Sequence, residues 1–91
     1  MKSHIFMVSF SAKVHNDKKR FVIPIRIRKA FGWGRRARVG LVIFGADGHC
    51  KFWGVQTMKS GPEIYGDEMS NCLFEGEQIF AYAFNPPHED A

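Results

Sequence analysis

The 91-residue chain has few cysteines and no long hydrophobic run. Its two cysteines, Cys50 and Cys72, are fewer than a small secreted domain uses for a disulfide framework. We expect two buried thiols, with a Cys50–Cys72 disulfide as the alternative. The apolar stretch Ile5–Phe10 is too short for the core of a signal peptide or for a membrane span, so we expect a cytoplasmic protein with no membrane partner.

The sequence also lacks the motifs of common catalytic sites. It contains no Gly-x-Ser-x-Gly, no phosphate-binding loop and no His-Glu-x-x-His. His49 and Cys50 could supply two zinc ligands, but a closed zinc site needs four, and Cys72 and a further histidine would have to converge on them. We therefore expect no catalytic residues, no metal and no cofactor, and a protein that is not an enzyme.

Acidic residues are scarce in the first half of the chain. Residues 1–51 hold twelve Lys and Arg against two acids, a net charge of +10, whereas residues 52–91 hold one Lys against seven acids, a net of −6. This asymmetry favours a polyanion as the partner of the basic half. The alternative is a solvated domain whose two halves attract each other.

What the chain does have is apolar volume for one small core. Hydrophobic residues make up 45% of it, with nine Phe and two Trp. A domain of this size has no apolar positions to spare, so we expect one domain over residues 1–91 with most of the aromatic side chains in its core. The tail, residues 86–91, is expected to be flexible.

Alternating apolar residues and turn signals predict six short strands. They cover residues 4–14, 20–23, 37–44, 50–57, 63–65 and 78–84. Asp47-Gly48 lies between the third and fourth strands and is a strong hairpin signal.

A short helix is predicted from Pro24 to Phe31. Proline fits the first turn of a helix, and Ile23, Ile27 and Phe31 recur at helical spacing. Gly32 is placed to cap the helix at its C-terminus. A weaker helical turn is expected over Asp67–Leu73. Seven residues are expected to be largely buried: Val22, Ile23, Ile27, Phe31, Val39, Leu41 and Phe52.

The two halves of the chain repeat the same order of elements. Each unit, at about residues 4–47 and 48–85, reads strand, strand, helix, strand. A shift of 42 residues pairs Phe10 with Phe52 and Gly34 with Gly76. Two such units predict a six-stranded pseudo-symmetric closed barrel, since closure removes the exposed strand edges of a small sheet.

Residues 20–34 carry a motif that resembles the AbrB/MazE/SpoVT family of DNA-binding domains. The family pattern is a basic residue, a hydrophobic strand, Ile-Pro, a helix with an Ile-Arg or Leu-Arg pair, then Leu-Gly and a hydrophobic residue. These features fall on Arg20, Val22, Ile23-Pro24, Ile27-Arg28 and Phe31-Gly32-Trp33. The resemblance covers about a third of the chain, from Ala12 to Phe44.

The resemblance implies a mainly β fold and a transcription-regulator type of function. In the family one such unit is half of a barrel, and two chains exchange hairpins to complete it. This chain continues with a second unit, so the whole resembles the single-chain cradle-loop barrels of the RIFT type, which include a small archaeal member. We therefore expect a monomer rather than the swapped dimer of the family.

Eight basic residues are candidates for DNA contact. Arginine suits phosphates and guanine edges because its guanidinium donates in a fork, and lysine on loops supplies salt-sensitive phosphate contacts. The candidates are Lys18, Lys19, Arg20, Arg26, Arg28, Lys29, Arg35 and Arg36. The alternative function is a monomeric barrel that binds a small ligand, a nucleotide or a protein at its cradle loops. Relatives of both kinds share this fold, so the fold alone does not choose between them.

Overall fold

The computed structural model describes residues 6–15, 18–66, 69 and 72–87. Within these residues the chain forms six strands and one helix, so the protein is mainly β, as expected. The elements are β1 (Val8–Lys13), β2 (Arg20–Val22), α1 (Ile25–Phe31), β3 (Arg38–Phe44), β4 (Cys50–Thr57), β5 (Glu63–Tyr65) and β6 (Gln78–Phe84). All six predicted strands are confirmed, and the first is shorter than predicted because it begins at Val8.

The strands lie in two antiparallel sheets. One sheet has four strands in the order β1-β6-β3-β4, and the other pairs β2 with β5. A bridge between His15 and Arg20 links the end of β1 to β2, and the Lys59 N–H donates to the Glu63 carbonyl at 3.0 Å between β4 and β5. These pairings do not join the six strands into one closed barrel, so the expected closure is not confirmed.

The strand pairing has a pseudo-two-fold symmetry. Exchanging β1 with β4, β2 with β5 and β3 with β6 reproduces the same set of paired strands. Backbone hydrogen bonds follow this exchange: Val14 N–H donates to the Glu77 carbonyl and Met58 N–H donates to the Ala37 carbonyl, both at 2.9 Å. The repeat of elements inferred from the sequence therefore corresponds to a repeat in topology.

The structural repeat does not follow the residue shift of 42. The donors of these two bonds are 44 residues apart in the sequence, and their acceptors, Ala37 and Glu77, are 40 apart. Phe10 lies opposite Ala81, whose equivalent in β3 is Leu41, and Leu41 pairs with Gly54. The structural equivalent of Phe10 is thus Gly54, and the match of Phe10 with Phe52 is wrong.

Helix α1 begins and ends where Pro24 and Gly32 require. The Pro24 carbonyl accepts the N–H groups of Ile27 at 3.0 Å and Arg28 at 3.1 Å, and its ring occupies the position just before the helix. Gly32 has φ 72°, a left-handed conformation that glycine adopts without steric cost. The Trp33 N–H then donates back to the Arg28 carbonyl at 2.9 Å, which closes the helix end.

The core lies between the two sheets and beneath α1. Its largest fully buried side chains include Phe21, Ile23, Ile27, Leu41, Ile43, Met58, Ile64, Met69, Leu73 and Ile79. Burial is confirmed for Ile23, Ile27, Val39 and Leu41, whereas Phe31 and Phe52 are only partly buried. The expectation for Val22 was wrong, because in the short strand β2 the neighbouring Phe21 points inward and leaves Val22 45% exposed.

Two expectations fall largely on undescribed parts of the chain. The helical turn over Asp67–Leu73 includes only Met69, Cys72 and Leu73 of the described residues, and of the tail over residues 86–91 only Pro86 and Pro87 are described. No helix in the described part of the chain is long and apolar enough to span a bilayer.

We expect Ile27→Ala to reduce the free energy of unfolding by about 2–4 kcal/mol, because it leaves a cavity in a fully enclosed site. Val22→Ala removes an aliphatic side chain from an exposed position and is expected to cost about 0.5 kcal/mol or less. Urea denaturation of both variants measures the difference. Equal losses would show that Ile27 is not a core position.

Candidate functional site

The eight basic candidates are spread over the fold and do not gather at one site. Lys18, Lys19 and Arg20 lie at the turn into β2, which we call the basic turn. Arg28 and Arg35 line one cavity, and Arg26 lies on the opposite flank of α1, where it contacts β1. The exposed residues Lys29 and Arg36 lie at the last turn of α1 and just before β3.

The basic turn is held against the second half of the chain. Lys19 has φ 55°, and its carbonyl accepts the Gly66 N–H at 2.8 Å. The Arg20 guanidinium lies 3.4 Å from a carboxylate oxygen of Glu63 and 5.9 Å from the centre of the Tyr65 ring. These contacts follow from the β2–β5 register, in which Arg20 lies opposite Tyr65. Arg20 therefore has a carboxylate partner within the chain.

A cavity of about 190 Å³ brings Arg28 and Arg35 together, and we call it the basic cavity. Its lining residues are Arg28, Trp33, Gly34, Arg35, Met58, Ser60, Gly61 and Pro62. It lies between the end of α1 and the loop that joins β4 to β5. The Arg28 Nε donates to the Ile23 carbonyl at 3.0 Å, which fixes this guanidinium at the cavity wall.

Trp33 is held rigidly at the same cavity. Its ring stacks on Phe31, with centroids 4.6 Å apart and an interplanar angle of 18°. Its indole Nε1 donates to Asn85 Oδ1 at 2.6 Å, which ties the turn after α1 to the end of β6. A planar aromatic group therefore lies beside two guanidinium groups and the backbone of two glycines.

Arg26 and Arg28 point to different sides of α1. The Arg26 Nη2 donates to the Ser9 carbonyl at 3.2 Å, and Arg26 lines a shallow depression with Ser11, Phe80 and Tyr82. Residues that are two positions apart in an α-helix lie about 200° apart around its axis. Arg26 and Arg28 therefore serve different surfaces.

A second feature, which sequence reasoning missed, is the solvent side of the four-stranded sheet, here called the outer face. Seven apolar side chains lie on it: Val42, Phe44, Trp53, Val55, Phe80, Tyr82 and Phe84. Trp53 is 77% exposed, Phe80 is 51% and Tyr82 is 43% exposed. The expectation that most aromatic residues are in the core was wrong for these three and for Phe6 and Phe74.

The sequence of β6 contains the signal for this face. Ile79, Ala81 and Ala83 point into the core, while Phe80, Tyr82 and Phe84 alternate with them and point outward. A strand that is apolar on both sides either lies between two layers or exposes aromatic residues. Here the second alternative applies, because no described element covers the outer side of β6.

Contacts within the sheet fix the rings of the outer face. The Phe84 ring covers Gly40 of β3, where an added Cβ would clash with the ring. The Tyr82 ring meets Phe44 edge-on, with centroids 6.2 Å apart. Gly40 therefore serves the outer face by giving the Phe84 ring room to lie against the sheet.

The two cysteines are free thiols in different surroundings. The expectation of two buried thiols was wrong for Cys50, which is exposed at the start of β4. Cys72 is half-buried, and burial raises the pKa of its thiol, which donates to the Met69 carbonyl at 3.0 Å. Within the described residues no three His, Cys, Asp or Glu side chains cluster in a way that could hold a metal ion.

The turn between β3 and β4 shows a separate local electrostatic effect. The His49 backbone N–H donates to Asp47 Oδ1 at 3.0 Å and lowers the pKa of that carboxyl group. This bond stabilises the Asp47-Gly48 turn that the sequence predicts, in which Gly48 has φ 85°.

Comparisons with protein-family models, with curated proteins and with solved structures find no match to the chain. The resemblance of residues 20–34 to the AbrB motif therefore stays a prediction from those residues.

We expect Gly40→Ala to reduce the free energy of unfolding by about 1–3 kcal/mol, because the new methyl group displaces the Phe84 ring. In a Phe84→Ala background the same change should be neutral or slightly stabilising, since alanine restricts the unfolded chain more than glycine. Denaturation of the four proteins of this double-mutant cycle measures the coupling. A penalty that is unchanged without Phe84 would contradict the contact.

We expect iodoacetamide to alkylate Cys50 about tenfold faster than Cys72 near pH 8, because the thiolate is the reactive form and Cys72 is shielded with a raised pKa. Peptide mass spectrometry over time gives both rates. The Cys50→Ser variant should then lose the fast phase and keep the slow one. Equal rates for the two thiols would contradict the burial of Cys72.

Proposed function

We propose that the protein binds DNA through the basic cavity, with the basic turn adding longer-range attraction. The observation that supports this most is the convergence of Arg28 and Arg35 on one cavity beside Gly34 and Gly61. Glycines allow the close approach of a phosphate to the backbone, and two guanidinium groups supply forked donors to its oxygens.

The attachment of Arg28 favours this role. Its Nε donates to the Ile23 carbonyl, and that bond fixes the guanidinium where Arg28 lines the cavity. A side chain fixed in this way loses less conformational entropy on binding an anion than a mobile one. Arg35 is exposed at the rim of the cavity and supplies the second positive charge.

The distribution of charge determines the expected affinity for DNA. Residues 1–51 carry a net +10, but Arg20 is already paired with Glu63, so part of this charge is used within the fold. Binding should therefore be electrostatic first, in the range of roughly 10⁻⁴–10⁻⁶ M that is typical of non-specific contact. Arg26 faces β1 rather than the cavity, so a base contact from α1 at the cavity falls to Arg28.

The AbrB-like and cradle-loop interpretations belong to this proposal. The pseudo-two-fold strand pairing and the links from β1 to β2 and from β4 to β5 are what two repeated barrel units would give. We infer that one chain forms the complete cradle-loop unit as a monomer and acts as a transcription-regulator type of DNA-binding protein without catalytic activity.

A second candidate function is the binding of a small phosphorylated ligand, such as a nucleotide, at the same cavity. The position of Trp33 favours it, because an aromatic ring beside two arginines can stack on a base while the arginines hold its phosphate. The two functions differ in the size of the anion that the cavity receives.

A titration of duplex DNA at about 50 mM salt tests the proposal, with binding followed by amide shifts and fluorescence anisotropy. We expect the shifts to centre on residues 28–36 and 58–62. The double variant Arg28→Gln/Arg35→Gln should weaken binding to all duplexes and reduce the log–log salt slope by about one unit for each lost phosphate contact.

Lys13→Gln is the matched control, because it removes one positive charge from β1, away from the cavity. It should change duplex binding less than either cavity substitution. A double variant that binds duplex DNA as tightly as the original protein would contradict the proposal. If the double variant loses nucleotide binding but binds duplex DNA as before, the cavity is assigned to the second candidate function.

A further inference from the structure

We propose that the outer face is a second binding surface, specific for single-stranded nucleic acid, on which unpaired bases stack against Trp53, Tyr82 and Phe80. This inference rests on the proposed function in assuming a nucleic-acid partner. It differs from the proposed function in the residues that bind and in the form of nucleic acid that they bind.

The exposure of the aromatic side chains is the first observation. Phe80 and Tyr82 lie on β6 and Trp53 lies on β4, and all three point to the same side of the sheet. An exposed group of large apolar side chains on a small protein marks a binding surface, since it costs solubility and contributes nothing to the core. Aromatic rings of this kind accept any base, because every base has a π-face.

The spacing of the rings fits separated bases. Phe80 and Tyr82 are two residues apart on β6, which is about 7 Å along a strand. Val42 lies between Tyr82 and Trp53, opposite both of them, so these two rings are two strand spacings apart, or about 10 Å. Both spacings exceed the 3.4 Å rise of stacked bases in a duplex strand. Each ring can therefore receive a base that is no longer stacked on its neighbour.

The charge of the outer face argues for a polyanion rather than for a second copy of the chain. The outward positions of the four strands include no Asp or Glu, and their charged residues are Lys13 and Arg38. Arg26 reaches the β1 edge and lines the depression of about 410 Å³ next to Phe80 and Tyr82. Two outer faces packed on each other would bring only positive charges together, whereas a nucleic-acid backbone complements them.

The rings of the outer face select single strands over duplex. In a duplex the faces of the bases are covered by neighbouring base pairs, so the rings of the outer face have nothing to stack on. A single strand presents its base faces to the sheet and its phosphates to the rim, where Arg26 and Lys13 lie.

Fluorescence anisotropy with a labelled deoxythymidine oligonucleotide of about ten residues tests the inference, with a duplex of the same length measured in parallel. Trp53→Ala and Tyr82→Ala should each weaken binding of the single strand by roughly fivefold or more, the usual effect of removing one stacking ring. Phe74→Ala is the matched control, since it removes a 61% exposed aromatic ring away from the outer face. It should leave single-strand affinity unchanged.

The outcomes separate the two proposals. The inference is overturned if Trp53→Ala and Tyr82→Ala leave the affinity for the single strand unchanged. The proposed function still holds in that case if duplex binding depends on Arg28 and Arg35. A protein that binds the single strand through Trp53 and Tyr82 but does not bind duplex DNA keeps the inference and overturns the proposed function. Sedimentation of the protein without nucleic acid gives a further check: a dimer that Trp53→Ala dissociates would assign the outer face to a second copy and overturn the inference.

Discussion

The antiparallel pairing of β3 with β6 is the contact on which the rest of the structure depends. It joins the last strand of each repeated unit, and Val42 lies opposite Tyr82 on the pseudo-two-fold axis. The inward residues of both strands build the core, and their outward residues build the outer face. β1 and β4 attach to the free sides of this pair. A shift of one residue in its register would exchange the two sides and place aromatic rings in the core where the small side chains Ala81 and Ala83 now fit.

The sequence predicts the elements well because their signals are local. Pro24 and Gly32 define helix α1 by their own backbone preferences, and the strands β4, β5 and β6 have the bounds that alternation and turn residues predict. Which side of a strand is covered is decided by distant residues. Val22 and Trp53 are apolar residues in strands, and their exposure depends on layers that the alternation of their own segments does not reveal.

The same limit applies to the basic residues. The charge asymmetry of the sequence predicts a surface for a polyanion, but it does not show that Arg20 pairs with Glu63 from the other half of the chain. Nor does the Ile27-Arg28 motif show that Arg26 and Arg28 separate onto two sides of α1. Each of these arrangements follows from tertiary pairing, since β5 pairs with β2 and the β4–β5 loop lies beside the end of the helix.

Each of the two candidate surfaces contains one of the two tryptophans, and this allows a direct measurement. Trp33 lines the basic cavity, and Trp53 lies on the outer face. With 5-fluorotryptophan in both positions, ¹⁹F NMR reports the two surfaces separately in one sample. We expect duplex DNA to shift the Trp33 resonance and a deoxythymidine oligonucleotide to shift the Trp53 resonance. Resonances that move together for both ligands, or that do not move for either, would contradict the assignment of two distinct nucleic-acid surfaces.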